Sequence, residues 1–435
     1  MTPRRGAVLL VAVLAACTPR LWAQERTVTL ADAIRLSERV QPLVVRAAGD
    51  LETAAAQRRS AWGAYLPSLT ASSSASSFFS EGTSRVDPVT GQLLSGNSSN
   101  RSLSTSLSAS VDLFTGFRRG AENRAARANQ AAAEATFVDA RFQQALETTN
   151  QFLDALAFQQ LVRVRESSVR RAEEQLKTSI AKLRAGSATR SDSLRSRVTL
   201  GNARLELIRS QTDLAAAEAG LARLIGETGR VQAADDSAFY QVVAPPDTAA
   251  IRAEAEAKSP RIQSASAVAD AARASLRASR SAYWPSLSLS ASTAWNASRS
   301  NDYDLFNQRQ LSLGFRWNLF DRFDRELAVA QRSASADVAD ATAADEQRAV
   351  AAELTARLAE LDAARLQIEI TLTSVVAAEE DLRVQQERYR LGASTIVDVL
   401  TSQEALNQAE VDVVVARFDY LRAKASLEAL IGRTL

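Results

Sequence analysis

The chain has 435 residues, with 52 Lys and Arg against 50 Asp and Glu, a net charge of +2, no histidine and one cysteine. This near-neutral balance gives no reason to expect a nucleic-acid partner. Without histidine and with a single cysteine, the chain lacks the usual metal ligands, a disulfide partner and the commonest proton-transfer group of enzymes. We therefore expect no cofactor, no metal site and no enzymatic activity.

The N-terminus carries a targeting signal. A pair of arginines precedes an apolar run, Ala7 to Ala16, which is too short to span a bilayer as a helix and fits a secretory signal peptide. Two processing sites compete: cleavage after Ala23 would remove residues 1–23, whereas the apolar run also ends in a bacterial lipobox whose Cys17 would become a lipidated first residue. No later stretch is apolar for about 18 residues, so any membrane crossing must be made of strands.

The two halves of the chain repeat each other. The segment Ala64–Leu69 returns as Ala282–Leu287, shifted by 218 residues, and Leu224–Gly226 returns as Leu430–Gly432, shifted by 206. A period near half the chain length indicates two copies of one structural unit. We expect a first repeat at 24–226, a linker or equatorial segment at 227–251 and a second repeat at 252–435.

Each repeat begins with a helix and continues into a stretch where apolar and small polar residues alternate. Examples are Leu103–Leu113 in the first repeat, and Leu287–Ala291 and Leu311–Leu319 in the second. A period of two with serine on one face is typical of strands that separate lipid from water, and aromatic residues near the strand ends suit interfacial girdles. We predict a strand pair within 66–114 and another within 284–320, four transmembrane strands in all.

Long proline-free stretches rich in Ala, Arg, Glu, Gln and Leu follow the strands. They predict helices of about 100 Å over 118–184 and 324–390, and shorter return helices over 193–225 and 399–431. In the second long helix a heptad-like series steps by four and three and predicts coiled-coil packing. Its members are Leu354, Leu358, Leu361, Arg365, Ile368, Leu372, Val375, Glu379, Leu382, Gln386 and Tyr389.

Four strands leave two open edges, which cannot remain unpaired in hydrocarbon. The chain must therefore associate with itself, and cyclic symmetry is the usual way to close such a ring. Small serine-lined inner faces favour an open lumen and hence three or more subunits. The fold class we expect is mainly α with a small β part.

The segment Tyr389–Leu400, with Leu430-Ile431-Gly432 and the Tyr65-Leu66-Pro67 and Trp284-Pro285 passages, resembles the TolC family of outer-membrane efflux proteins. The resemblance covers essentially the whole mature chain. It implies a homotrimer with a 12-stranded β-barrel in outer-membrane lipid, continued by an α-helical barrel in the periplasm. It also implies a gated exit duct for a tripartite efflux or type I secretion system, docked to a periplasmic adaptor and an inner-membrane pump.

The resemblance also assigns a periplasmic tip, which in that family is both the gate and the adaptor contact. Ser394 stands where the best-known member has a gating arginine, and Thr401 where it has a second constriction aspartate. These departures imply a looser or less acidic entrance. The matched tip positions are Gly186, Asp192, Tyr389, Gly392, Ser394, Asp398 and Thr401.

Two alternatives stay open at this point. Asp192 suits either a pore role or the N-terminal cap of the return helix, where a carboxylate satisfies free amides. The whole chain also has an alternative interpretation as a periplasmic coiled-coil adaptor or scaffold that never crosses the membrane. Long helical hairpins suit that interpretation, but four alternating strands with aromatic ends do not.

Overall fold

A computed structural model describes residues 26–83, 85–94, 98–236, 239, 248–298 and 304–433. The predicted signal peptide over 1–23, with Cys17, lies outside the described residues. Within them, no helix is both long enough and apolar enough to cross a membrane.

The described residues are mostly helical, as predicted. The long helices α3 and α7 occupy the two proline-free stretches, where good helix formers continue without interruption. A short 3-10 helix, Arg280–Tyr283, follows α6. The helices are α1 (Leu30–Val40), α2 (Pro42–Gly63), α3 (Arg118–Arg184), α4 (Arg190–Ile225), α5 (Thr248–Lys258), α6 (Pro260–Ser279), α7 (Asp324–Leu391) and α8 (Ile396–Ile431).

The strands form three separate sheets. The largest has the order β2-β5-β7-β8, with every neighbouring pair antiparallel. Strands β1 and β6 form a short parallel pair, and β3 and β4 a short antiparallel one. Their bounds are β1 (Arg26–Val28), β2 (Ser68–Ser80), β3 (Arg85–Val86), β4 (Leu93–Leu94), β5 (Ser98–Phe114), β6 (Val231–Ala233), β7 (Ser286–Ser298) and β8 (Phe306–Arg316).

The four-stranded sheet has two chemically different faces. Its register pairs Ala109 with Ala291 and Ala291 with Leu311, so alternate residues of all strands share an apolar face. The opposite face carries serines, which pair across β2 and β5 through their hydroxyls at 2.7–2.8 Å. On the apolar face Leu69 and Leu313 are exposed in the single chain. The alternation predicted from the sequence is therefore a property of the folded sheet.

Strand β8 ends earlier than the sequence pattern suggested. Alternation continues to Leu319, but the strand stops at Arg316. The Arg325 guanidinium donates hydrogen bonds to the backbone carbonyls of Asn318 and Leu319, at 3.0 and 3.5 Å. These carbonyls therefore accept hydrogen bonds from a side chain and not from a neighbouring strand. Arg322, at φ 59°, then turns the chain into α7.

The chain divides into two compact units, and the larger holds residues 37–150, 240–373 and 416–435. This strand-bearing unit contains the four-stranded sheet. Its helical core gathers Leu354, Leu358 and Leu361 of α7 with Leu427 and Ile431 of α8. Burying such side chains stabilises each by about 1.5–3 kcal/mol relative to exposure, so the core rests mainly on helix-to-helix packing.

The other unit holds the described residues within 26–36, 151–239 and 374–415, and we call it the turn-bearing unit. It contains both turns that join a long helix to its return helix. Phe152, Leu156 and Leu221 are fully buried in it. A second apolar cluster joins Leu382, Tyr389, Ile396, Val399 and Leu406 around the second turn.

The seam predicted on α7 is correct in part. Leu354, Leu358, Leu361, Ile368, Leu382 and Tyr389 are buried, but Leu372 is 40 % exposed. Glu379 and Gln386 are also exposed, and the adjacent residues Ala378 and Gln385 are partly buried in their place. The predicted four-three series therefore misses the inward face by one residue at several positions. The first of these is Ala364, which is buried in the core of its unit next to the predicted residue Arg365.

Candidate functional site

The candidate site is the pair of turns in the turn-bearing unit, and both turns have the same backbone. Gly186 has a φ of 74° and Gly392 of 81°. The amide that follows each glycine donates a hydrogen bond back to the last turn of the long helix: Ser187 N donates to Lys182 O at 2.9 Å, and Ala393 N donates to Arg388 O at 2.8 Å. A Cβ at either glycine would meet nothing within 4 Å. The glycines are therefore required for their left-handed conformation and not for space.

A threonine opens each return helix. Thr189 is the N-cap of α4: Asp192 N donates to its Oγ1 at 3.2 Å, while Thr189 N donates to Asp192 Oδ2 at 2.8 Å. This reciprocal pair is a capping box. Asp192 therefore takes part in capping, as the sequence alternative expected, but as the third helical residue and not as the N-cap itself. As a result, α4 begins at Arg190 and not at the expected residue 193.

The second turn repeats the arrangement. Thr395 N donates to Asp398 Oδ2 at 2.8 Å, and Asp398 N donates to Thr395 Oγ1 at 3.3 Å. Helix α8 accordingly starts at Ile396, three residues before the expected 399. Both returns begin early because the threonine is the N-cap and accepts the amide of the third helical residue, while the aspartate at that residue accepts the threonine amide.

The Asp398 carboxylate receives more donors than capping alone requires. Its Oδ2 also lies 2.8 Å from Thr395 Oγ1 and 2.9 Å from Ser394 Oγ. Hydrogen bonds from the Thr395 backbone, the Thr395 side chain and Ser394 lower the pKa of Asp398 below its ordinary value. The group therefore remains an anion at neutral pH, at an exposed position on the turn.

Ser394 joins the two helices of the second turn. Besides Asp398 Oδ2, its hydroxyl lies 3.1 Å from Gln385 Oε1, and its single proton serves one acceptor at a time. Thr401 is exposed and takes no part in these hydrogen bonds. Its neighbour Ser402 instead donates to Asp381 Oδ2 at 2.5 Å. An acidic group is therefore present near Thr401, but it comes from α7.

Tyr389 connects the second turn to helix α3. The residue is 6 % exposed, and Lys182 Nζ lies 4.1 Å from its ring centroid. The same ammonium donates a hydrogen bond to the Tyr389 carbonyl. Burial raises the pKa of the Tyr389 phenol, Ser179 on α3 lowers it, and the Asp192 charge raises it. Lys182 of the first hairpin thus contacts Tyr389 of the second.

Lys182 was not identified from the sequence, although a signal for it was present. A shift of 206 places it on Arg388, so both long helices carry a basic residue four positions before the glycine. Cations near a helix C-terminus interact favourably with the helix dipole, which explains both. Only Lys182 reaches the other hairpin, whereas Arg388 donates to Ala393 O of its own turn at 3.4 Å.

A second missed link lies further along the same helices. The Arg171 guanidinium of α3 donates to both carboxylate oxygens of Glu410 on α8, at 3.0 and 2.5 Å, and to Asn407 Oδ1 at 2.7 Å. The side chains of Arg171 and Glu410 are only 23 % and 19 % exposed. Bidentate pairing of this kind fixes both position and orientation. Sequence spacing gave no signal for it because the partners are more than two hundred residues apart.

Comparison with known proteins agrees with this architecture. The profile of the outer membrane efflux protein family matches residues 34–227 and again 251–433. The pyoverdine export outer membrane protein OpmQ of Pseudomonas aeruginosa is 26 % identical over 341 residues, which is 76 % of this chain and 70 % of OpmQ.

Solved structures show the same fold. CusC superposes with a TM-score of 0.78 at 19 % identity, covering 93 % of this chain and 92 % of CusC. The outer membrane protein VceC of Vibrio cholerae gives 0.74 at 18 % identity, covering 93 % of this chain and 96 % of VceC. The periplasmic adaptor or scaffold alternative is therefore wrong. This chain belongs to the outer membrane efflux protein family, and it is an efflux channel protein of the outer membrane.

Proposed function

We propose that three copies of the chain join their sheets into one 12-stranded barrel in the outer membrane. In the single chain β2 and β8 are the edges of the four-stranded sheet. An unpaired edge is costly in hydrocarbon, and pairing β2 of one copy with β8 of the next removes all edges at once. The apolar face would then meet lipid, and the serine face would line a lumen.

The single observation that carries this proposal is the two-faced sheet with two open edges. The test is the native mass of the protein extracted from outer membranes in mild detergent. We expect three copies. A monomer that leaves the membrane without detergent would overturn the proposal, because its sheet edges would then be stable in water.

The barrel would act as a passive exit duct. No bond is made or broken, and the chain is not an enzyme. Substrate would enter where the two turns of each copy separate, cross a water-filled lumen and leave at the cell surface. An inner-membrane pump would supply the energy, and a periplasmic adaptor would contact the turns, in a tripartite efflux or type I secretion system.

The turns would form the gate of this duct. The contact of Lys182 with the Tyr389 ring and carbonyl ties the first turn to the second, so it supports a closed resting state. In a trimer the three copies of Asp398 would form an acidic ring, and such rings concentrate cations. Gly186, Gly392, Asp192, Ser394 and Thr401 would shape the same entrance.

The pore role of Asp398 has its own test. We expect Asp398→Asn to lower the cation selectivity of channels in planar bilayers and to weaken their block by multivalent cations. Asp50→Asn, which removes an exposed carboxylate from α2 outside the turns, is the matched control and should change neither. Unaltered selectivity and block in Asp398→Asn would remove Asp398 from the pore.

A further inference from the structure

A small cavity of ≈ 200 Å³ lies in the strand-bearing unit, where β5 passes into α3 and α6 ends. Cavities for drug-sized ligands are usually about 300–1,000 Å³, so this one suits a smaller group. Three arginines, from α3, α6 and the 3-10 helix that follows α6, line it together with two aromatic residues and a serine. These lining residues are Phe117, Arg124, Arg277, Arg280, Ser281 and Trp284.

The three arginines carry charge that no carboxylate neutralises. Among the residues described, none of them forms an ion pair, and Arg124 Nε donates to Gly120 O of its own helix at 3.2 Å. Nearby arginines behave differently: Arg118 pairs with Glu122 at 3.2 Å, and Arg273 with Asp340 at 2.8 Å. The lining of the cavity therefore carries three positive charges that no ion pair offsets.

The aromatic wall of the cavity is held in a fixed position. Phe117, at a φ of 65°, stacks edge-on against Trp284 with ring centroids 5.6 Å apart. Gly116 allows this approach, because a Cβ there would lie 2.4 Å from the Trp284 Cβ. Phe117 is 63 % exposed and Trp284 58 %. Exposed aromatic rings beside a membrane-spanning sheet suit the interface between lipid and water.

The duplication provides an internal comparison. At the equivalent positions of the other repeat, Arg124 corresponds to Ala330 and Arg280 to Trp62, and only Arg277 has a basic counterpart, Arg59. A basic cluster is therefore no general requirement of the strand-to-helix junction. The α6 dipole accounts for a cation in its last turn, such as Arg277, but not for Arg124 on a different helix.

We propose that this cavity binds the phosphate of an anionic phospholipid headgroup at the periplasmic surface of the outer membrane. Guanidinium groups match phosphate oxygens in pairs, and the exposed rings of Phe117 and Trp284 offer an apolar surface for the start of the acyl chains. The inference rests on the proposed function, which sets the helical end of the sheet at the periplasmic face.

The test measures lipid retention by the full-length protein in detergent, using native mass spectrometry with added phosphatidylglycerol or phosphatidylcholine. We expect the natural protein to retain phosphatidylglycerol and not phosphatidylcholine. The variant Arg124→Gln/Arg277→Gln/Arg280→Gln should bind phosphatidylglycerol at least tenfold more weakly, because each arginine near an anionic headgroup is worth about fivefold. Inorganic phosphate at millimolar concentration should not displace the lipid.

The matched control removes three exposed arginines from the same unit: Arg59→Gln/Arg322→Gln/Arg332→Gln. Its lipid retention should stay within twofold of the natural protein. Equal losses in both triple variants would overturn the site in favour of general electrostatic attraction. Displacement of the lipid by inorganic phosphate would also overturn it, because the cavity would then be a site for free anions.

Two milder variants cover a failure of the triple variant to fold. Arg280→Gln alone should weaken phosphatidylglycerol retention about fivefold. The variant Arg124→Lys/Arg277→Lys/Arg280→Lys should keep the charge of the cavity but lose the paired hydrogen bonds to phosphate, so its retention should also fall. Unchanged retention in both would overturn the proposal.

Native mass and conductance, measured on the same samples, separate the lipid site from the proposed function. Lost lipid selectivity in an intact conducting trimer concerns this site alone, whereas a monomeric, non-conducting natural protein overturns the proposed function.

Discussion

The two turns of the turn-bearing unit share one backbone but differ in what their side chains hold together. Each has a left-handed glycine, a returning amide and a threonine–aspartate capping box. In the first turn, Lys182 contacts Tyr389 of the other hairpin. In the second turn, the equivalent residue Arg388 donates a hydrogen bond within its own turn, and Ser394 donates one to the Asp398 carboxylate.

This difference shows which residues the duplication preserved and which it did not. Residues that set local backbone geometry occur in both copies, because a helix that ends and reverses always needs a left-handed residue and a cap. Residues that link one hairpin to another occur once: Lys182 with Tyr389, and Arg171 with Glu410.

The largest effect should follow from Arg171→Ala. The change leaves the mostly buried Glu410 without its bidentate partner, and we expect a loss of about 3 kcal/mol in the local opening free energy of α3 and α8. Hydrogen exchange of the extracted protein measures this. The equivalent of Arg171 in the second copy is Ala377, so Ala377→Gly, which removes no link, is the control and should cost about 1 kcal/mol. Equal effects would show that the ion pair contributes little.

Lys182→Ala should cost about 2 kcal/mol, because it removes a cation–π contact and a charged hydrogen bond to Tyr389. Arg388→Ala is the matched change in the other copy and should stay within about 0.5 kcal/mol. Hydrogen exchange at the two turns gives the stabilities, and single-channel conductance gives the functional effect. We expect a higher conductance for Lys182→Ala only. If both variants behave alike, the link across the hairpins does not hold the closed state.

The capping threonines should respond equally. Thr189→Ala and Thr395→Ala each remove the acceptor for the third amide of a return helix, at a cost of about 1 kcal/mol. Thr→Ser at the same positions keeps the hydroxyl and should restore most of the loss. Amide exchange within the first turn of α4 and α8 is the measurement. A clearly larger loss at one turn would mean that the capping boxes are not equivalent.

The smallest effect concerns pH at the second turn. Because the pKa of Asp398 is lowered in the fold, its stabilising bonds are present above the unfolded pKa of about 3.9 and are lost as pH falls through the folded value. We expect exchange at the start of α8, corrected for intrinsic rates, to accelerate below about pH 4. Asp398→Asn cannot titrate and should show no such acceleration. The same acceleration in Asp398→Asn would assign it to another group.

The local elements of the fold were predictable from the sequence. Proline-free stretches of good helix formers gave the long helices, and serine alternation gave the two-faced sheet. Boundaries failed where side chains decide them: Arg325 ends β8 early, and threonine caps start α4 and α8 early. The inward face of α7 was misjudged at Leu372, because a single helix pattern does not say which of two adjacent positions meets a partner.

The candidate site divides in the same way. Gly186, Gly392, Asp192 and Asp398 were named from the family resemblance, and the structure shows that they act within a few residues along the chain, in turns that the repeat displays twice. Three contacts instead depend on which helices pack together: Lys182 with Tyr389, Ser402 with Asp381, and Arg171 with Glu410. The sequence by itself determined periodicity, duplication and turn chemistry, since these are local interactions. Only the tertiary structure decided the links between hairpins and the arginine-lined cavity, because residues distant in sequence meet there through helix packing.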